Sequence, residues 1–216
     1  MTEHLTRWRH QLSDGLRAMA IDLSLEQQQQ LLDYLGLLLK WNRAFNLTAI
    51  RDPEQMVSRQ LLDSLSILPL LTGERVLDVG TGPGLPGIPL AVAQPDSRFV
   101  LIDSNGKKTR FVQQSLVTLG LPNVAVVRTR VEAYQAGTGF DTITARAFAA
   151  LPKMVQLTRH LLADRGQLLA MKGTVPKDEI AELEAAGYRV EVVPLRVPGS
   201  DGQRHALRVR AGRSAE

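Results

Sequence analysis

Within the run RVLDVGTGPGLPGIPL (75–90), an apolar strand turns at once into Gly80-Thr81-Gly82-Pro83-Gly84. Glycines packed this tightly after a strand let the backbone pass close beneath a ligand, because no Cβ stands in the way. A second apolar strand, RFVLID, ends in Asp103. An acidic residue about 20 positions past such glycines is where a nucleotide ribose finds an acceptor for its hydroxyls. The pairing specifies a nucleotide-cofactor site, whereas a purely structural turn would leave Asp103 unexplained.

The composition narrows the chemistry. There is no cysteine, which excludes disulfides, thiolate metal sites, cysteine nucleophiles and pyrimidine C5 methylation through a cysteine adduct. The four histidines, His4, His10, His160 and His205, never pair at metal-ligand spacing, so no metal is expected. No apolar run approaches the ~20 residues of a membrane span, and the N-terminus lacks an apolar signal core, so a cytoplasmic protein without membrane association is expected. Residues 1–72 carry 7 Lys/Arg against 8 Asp/Glu, and the remainder 19 against 14. The second segment therefore projects a basic field, which favours a polyanionic substrate over an acidic surface partner.

These residues need elements to hold them. Residues 1–72 read as a helical extension. Ser24 and Gln27 make a capping box, Leu31, Leu35, Leu38 and Phe45 recur at helical spacing, and Asp52-Pro53 starts a further helix with Leu61, Leu65 and Leu68 on one face. From residue 73 to 213 strands and helices alternate. Strands are predicted over 75–78, 98–103, 124–128, 140–145 and 167–172, and helices include 107–119 and 151–162. Such alternation builds a mostly parallel sheet covered on both faces. Two last strands, 188–195 and 205–209, flank Pro198-Gly199-Ser200-Asp201-Gly202 and predict a terminal antiparallel hairpin.

That ending decides between cofactors. A dinucleotide fingerprint counted from Gly80 fails at Leu85. Counted from Gly82 it starts two residues late and is interrupted by two prolines. A terminal hairpin after five strand–helix units is the sheet ending of the Rossmann-like α/β fold of methyltransferases that use S-adenosyl-L-methionine (AdoMet). In that reading Gly80, Gly82 and Gly84 lie under the methionine portion, Asp103 takes the ribose, Val131 and Glu132 meet the adenine, and Arg146 borders the pocket where the methyl group leaves. All lie beyond strand C-termini, where open α/β sheets bind ligands. Glu132 equally fits a solvated helix start, and Arg146 a surface ion pair.

The acceptor follows by elimination. The segment Ala145-Arg146-Ala147-Phe148 lacks the polar-Pro-Pro-aromatic sequence that orients exocyclic amines, and cysteine chemistry is absent. A ring nitrogen with an exposed lone pair remains, and guanine N7 fits: it needs no general base, so positioning and electrostatics suffice. Its Hoogsteen edge is buried in the deep groove of A-form RNA, so the target belongs in a loop or outside the stack. Phe148 would stack on the base or pack in the core, and Arg146 or Lys172 would hold O6 or a phosphate. A dehydrogenase and a non-catalytic RNA-binding module are the competing classes.

The segments WNRAFNLTAI (41–50), LLDSL (61–65), VLDVGTGPGLPGIPLA (76–91), LIDSNGKKTRF (101–111), TRVEAY (129–134), TARAFA (144–149), MKG (171–173) and DGQRH (201–205) together resemble the glucose-inhibited division protein B (RsmG) family of small-subunit rRNA guanine-N7 methyltransferases. The resemblance implies AdoMet-dependent methylation of guanine 527 in the 530 loop of 16S rRNA, in the cytoplasm; naked 16S rRNA or the 30S subunit is the expected partner, and a monomer is expected. Carried over by motif, the cofactor contacts fall on Gly80, Leu85, Val131, Glu132 and Arg146. It also suggests that the N-terminal helices assist RNA recognition, through Asn42, Arg43, Asn46 and Thr48, joined by Lys107, Lys108 and Arg110 and by Lys172 and His205 at the sheet ends. Gln60 stands where a histidine often precedes LLDSL, and Asn105-Gly106 replaces a more apolar pair.

Overall fold

The computed structural model describes residues 2–212, and the expected domain end at residue 213 lies outside them. Two long helices come first, α1 (Thr2–Ala18) and α2 (Leu25–Phe45). The predicted capping box forms in full: Gln27 N–H donates to Ser24 Oγ, and the Ser24 N–H donates back to the Gln27 side chain. Asn46 ends α2 in the left-handed conformation (φ 49°). Next come α3 (Pro53–Met56), a π-helical stretch (Val57–Leu62) and α4 (Asp63–Leu65). The apolar spacing predicts a plain helix here; the wider π turn is the structure's departure from it.

The sheet then builds from β1 (Arg75–Val79), β2 (Arg98–Asp103), β3 (Val124–Arg128), β4 (Phe140–Arg146), β5 (Leu162–Lys172), β6 (Tyr188–Pro194) and β7 (His205–Ala211), with α5 (Gly87–Ala93), α6 (Gly106–Leu119), α7 (Leu151–Thr158) and α8 (Lys177–Ala185) between strands. Its order is β3-β2-β1-β4-β5-β7-β6. β1 to β5 run parallel, and β7 inserts antiparallel between β5 and β6. This is the predicted mostly parallel α/β sheet with a terminal antiparallel hairpin. The order reverses at β1, which pairs β2 on one side and β4 on the other, and a crevice opens beyond their C-termini at such a switch.

The central strands are buried on both faces, and alternate residues feed two separate cores. Val76, Phe99 and Leu101 pack with Trp8, Leu12, Leu31, Leu35, Leu38, Leu61, Leu65 and Phe111, so the N-terminal helices share one apolar cluster with α5 and α6. Leu77, Val79, Ile102 and Ile143 pack on the other face with Leu151, Met154 and Leu183 of α7 and α8. No helix among the described residues is long and apolar enough to cross a membrane.

One polar contact pins the N-terminal layer to the glycine turn. The Tyr34 hydroxyl, fully buried, donates to the Pro83 carbonyl at 2.9 Å. Burial pushes the phenol well above its ordinary pKa, so it stays a donor at any working pH. Tyr34→Phe leaves the buried Pro83 carbonyl without its partner and is expected to cost about 1–3 kcal/mol of stability. The check is urea unfolding: the midpoint should fall at unchanged slope, and a midpoint equal to wild type would show that the bond contributes nothing.

Candidate functional site

The glycine turn is held from below by Asp78, an acidic side chain in the middle of a strand with no exposed surface. Its Oδ2 accepts from the Thr81 hydroxyl and from Gly87 N–H (3.0 Å), and its Oδ1 accepts from the Thr144 hydroxyl of β4 (3.1 Å). The turn is thereby tied at both ends and to the neighbouring strand. A Cβ on Gly87 would sit 2.8 Å from Asp78 Oδ2 and 2.7 Å from Leu101, so only glycine lets the backbone donor approach. Gly80 has φ +65°, and a Cβ there would meet the Phe148 ring at 2.7 Å.

Above the turn lies a cleft of about 340 Å³, lined by Val79, Gly80, Ile102, Asp103, Ser104, Lys108, Thr129, Arg130, Val131, Glu132, Ala147 and Phe148. Its walls are the C-terminal ends of β1, β2 and β4 and the single 3₁₀ turn Val131–Ala133 after β3. Asp103 faces the glycine turn: its Oδ2 accepts from Gly82 N–H at 2.9 Å, and its Oδ1 from Asn105 N–H at 2.8 Å. A carboxylate offers about four acceptor positions, so capacity remains on both oxygens for a vicinal diol. A larger concavity of about 500 Å³ opens at the opposite edge, around Arg75, Arg98 and Asn123. There Arg75 donates to the Gly139 and Thr138 carbonyls and Asn123 to three more.

The structure thus gathers Gly80, Asp103, Val131, Glu132, Phe148 and Lys108 around one cleft. Gly82 and Gly84 lie in the turn beside it, and Leu85 is buried with the N-terminal helices. Phe148 is half-buried, packs against the second core and covers Gly80. It follows Ala147, which is strained at φ +51°. Lys172 steadies this loop, since its Nζ donates to the Ala149 carbonyl at 3.0 Å and pairs with Glu179 at 3.7 Å. His205, opposite Lys172 in the register, places Nδ1 3.1 Å from the Gly173 carbonyl. Lys107 is exposed at the α6 start, as is Arg43 near the end of α2. Asn42 is buried, with its Oδ1 accepting from Thr48 N–H, and Asn46 Oδ1 accepts from Arg51.

Arg146 leaves β4 toward the N-terminal layer. Its guanidinium donates to Asp63 Oδ2 (3.2 Å), Gln60 Oε1 (3.1 Å) and the Arg59 carbonyl (3.3 Å), all on or next to the π-helical stretch. Asp63, 7% exposed, also accepts from Arg204 at 3.2 Å. Gln60 in turn donates to Thr48 Oγ1 at 2.8 Å. Asp63, Arg204, Asp78 and Tyr34 escaped the sequence reading. A charge inside an apolar run, as in VLDV and LLDSL, was the available signal for the two aspartates.

Burial raises the Asp78 pKa to about 6, against the pull of its bonds to Thr81, Gly87 and Thr144. The folded state therefore holds this proton more tightly than the unfolded chain, whose carboxyl titrates near 4. Between about pH 4 and about pH 6 this group makes stability fall as pH rises. Asp78→Asn, which cannot titrate, should thus gain stability relative to wild type across that window, with a constant difference above it. Urea titrations of both proteins from pH 4.5 to 8 check this, and a difference independent of pH would contradict it.

Comparison with known proteins gives the family and the fold. The sequence model of a family described as rRNA small subunit methyltransferase G matches residues 27–207. The chain is similar to the ribosomal RNA small subunit methyltransferase G of Marinobacter nauticus, 57% identical over 93% of this chain and 94% of that one. It is also similar to that of Chromobacterium violaceum, 54% identical over 92% and 96%. In fold it resembles a SAM-dependent methyltransferase from Aquifex aeolicus (TM-score 0.56, 20% identity, 76% of this chain and 96% of that one). A precorrin-6y C5,15-methyltransferase from Geobacter metallireducens is alike to the same degree (TM-score 0.56, 18% identity, 78% and 93%).

Proposed function

The chain belongs to the rRNA small subunit methyltransferase G family, and from that premise we propose that it transfers the methyl group of AdoMet to N7 of guanine 527 in 16S rRNA. The observation that carries this reading is the Asp103 carboxylate facing the glycine turn beside the strand-order reversal, in the lining of a cleft sized for a nucleoside. Asp103 would hold the ribose hydroxyls, Val131 and Glu132 the adenine, and the Gly80–Leu85 turn the amino-acid end. The helices of residues 1–72 would act as an extension to the methyltransferase domain that helps to seat RNA.

The bound donor supplies an electrophilic methyl on a sulfonium. Guanine N7 brings its own lone pair and carries no proton, so no side chain has to act as a base. The chain's part is to exclude water, aim the base and place charge. Phe148, over Gly80 at the cleft edge, is positioned to pack on the base. Arg146, held by Asp63 and Gln60, puts a fixed positive charge at the end of β4. Lys107, Lys108 and Arg43 would supply basic surroundings for phosphates, whereas Lys172 is paired with Glu179 and His205 lies against the Gly173 carbonyl.

Two measurements test the reading. Methyl-labelled AdoMet is incubated with the protein and either deproteinised 16S rRNA or 30S subunits. Label should appear as 7-methylguanosine, and cleavage at reduced 7-methylguanosine should map it to position 527. Label in another nucleoside would remove the N7 assignment, and no label on either substrate would remove the activity. Separately, Asp103→Ala should weaken AdoMet binding by roughly 1–3 kcal/mol, and Asp103→Asn by less, since one acceptor oxygen survives. Calorimetry showing unchanged affinity for both variants would take Asp103 out of the cofactor site.

A further inference from the structure

We propose that Phe45 is a stacking step for an unpaired base next to the target guanine. The inference rests on the rRNA substrate of the preceding section and assigns a contact to a residue with no role in the site described so far.

Phe45 is the last residue of α2 and is 42% exposed, a rarity for a large apolar side chain among the described residues. Its ring is backed by Trp41, with centroids 5.3 Å apart and planes tilted by 36°. Trp41 is braced in turn by an edge contact to Phe111 of α6 at 5.6 Å. The left-handed Asn46 then turns the chain aside, leaving the ring at the tip of the helix. The ring is therefore rigidly supported from behind and open in front.

Its surroundings fit one kind of ligand. α2 and α6 lie antiparallel: Gln30, early in α2, donates to the Leu119 carbonyl at the end of α6, while Trp41 reaches Phe111 nearer the α6 start. The end of α2 thus sits beside the first turns of α6, where Lys108 lines the cleft and Asn105 N–H binds Asp103. Residues 34–51 and 104–123, which carry both helix ends, contain Lys40, Arg43, Arg51, Lys107, Lys108 and Arg110 and not one Asp or Glu. An exposed aromatic face on two helix ends rich in cations, with Asp33, Asp52 and Asp103 only at the borders of those stretches, matches a polyanion that also carries flat rings, which is single-stranded nucleic acid. The chemistry supplies the reason for such a step. Exposing a Hoogsteen edge unstacks the nucleotides beside it, and a supported ring near the cleft restores stacking to one of them.

The test is filter binding of 16S rRNA to the full-length protein, with wild type and Phe45→Ala, Phe45→Leu and Phe45→Trp. Loss of one base stack should weaken RNA binding about five- to 150-fold in Phe45→Ala. Phe45→Leu, which keeps apolar packing on Trp41, should bind as weakly, and Phe45→Trp as tightly as wild type. No charge is removed, so the dependence of affinity on salt should keep its slope, and AdoMet affinity should be unchanged. Wild-type affinity in Phe45→Ala or Phe45→Leu would overturn the proposal, as would failure of Phe45→Trp to restore binding. A Phe45-dependent affinity for polyglutamate but not for rRNA would overturn it in favour of an acidic protein partner. No binding of rRNA by wild type itself would bring down the rRNA substrate, and the stacking step with it.

Discussion

A single buried carboxylate organises the centre of this fold. Asp78 sits in β1 where the strand order reverses, directly opposite Thr144 of β4 in the register. Taking an ionised carboxylate out of water is costly, and the three donors that converge on it offset part of that cost. Those donors are the two ends of the glycine turn and the adjoining strand. The turn has few side-chain contacts of its own to fix it, since it is built from glycines and prolines. With Asp78 in place its path is set, and Gly82 N–H points at Asp103. The other Asp103 oxygen takes Asn105 N–H, at the cap of α6. One acidic group in the sheet therefore fixes the turn, the second acidic group and the start of the helix that borders the cleft.

A second carboxylate does comparable work at the end of β4. Two residues past Thr144, Arg146 is received by Asp63, Gln60 and the Arg59 carbonyl. The Arg59 carbonyl that accepts from this guanidinium lies within the π stretch, a rare winding that is frequent at functional sites. Asp63 is shared with Arg204 of β7's approach, so one negative charge stands between two guanidiniums. The pairs are only 9–27% exposed, where screening by solvent is weak. The arrangement leaves net positive charge at the C-terminal edge of the sheet, held at fixed positions rather than on free side chains.

The sheet was legible because buried parallel strands read as short apolar runs. β2 and β3 occupy the residues their runs predict, and β1 and β4 extend one residue further. β5 begins earlier than predicted, at Leu162, because Leu162 pairs with Phe140 beyond a register shift, and Ala163 to Gly166 after it carry no apolar pattern. The helix predicted over 151–162 stops at Thr158 and tightens into a 3₁₀ turn at Arg159–Leu161. The π stretch was invisible, since Leu61, Leu65 and Leu68 keep ordinary helical spacing. The site divides the same way. Gly80, Asp103, Val131 and Glu132 were readable from local spacing. Asp63 was not, because its two arginines are 83 and 141 residues away.

For a methyl transfer to an unprotonated nitrogen, geometry is the protein's main lever, and small displacements of the acceptor are expensive. That places a demand on rigidity which loops alone meet poorly. Here both flanks of the cleft are fastened to the N-terminal helices: the glycine turn through Tyr34 and Pro83, and the end of β4 through Arg146 and the π stretch. The same helices share one apolar cluster with α5, α6 and the sheet. Sliding them would break buried hydrogen bonds and open cavities at once, each costing on the order of 1–3 kcal/mol or more. The layer that presents aromatic and basic groups outward is thus the layer that fixes the cleft inward, so RNA seated on it, as proposed, would meet a methyl-donor site whose position is already set.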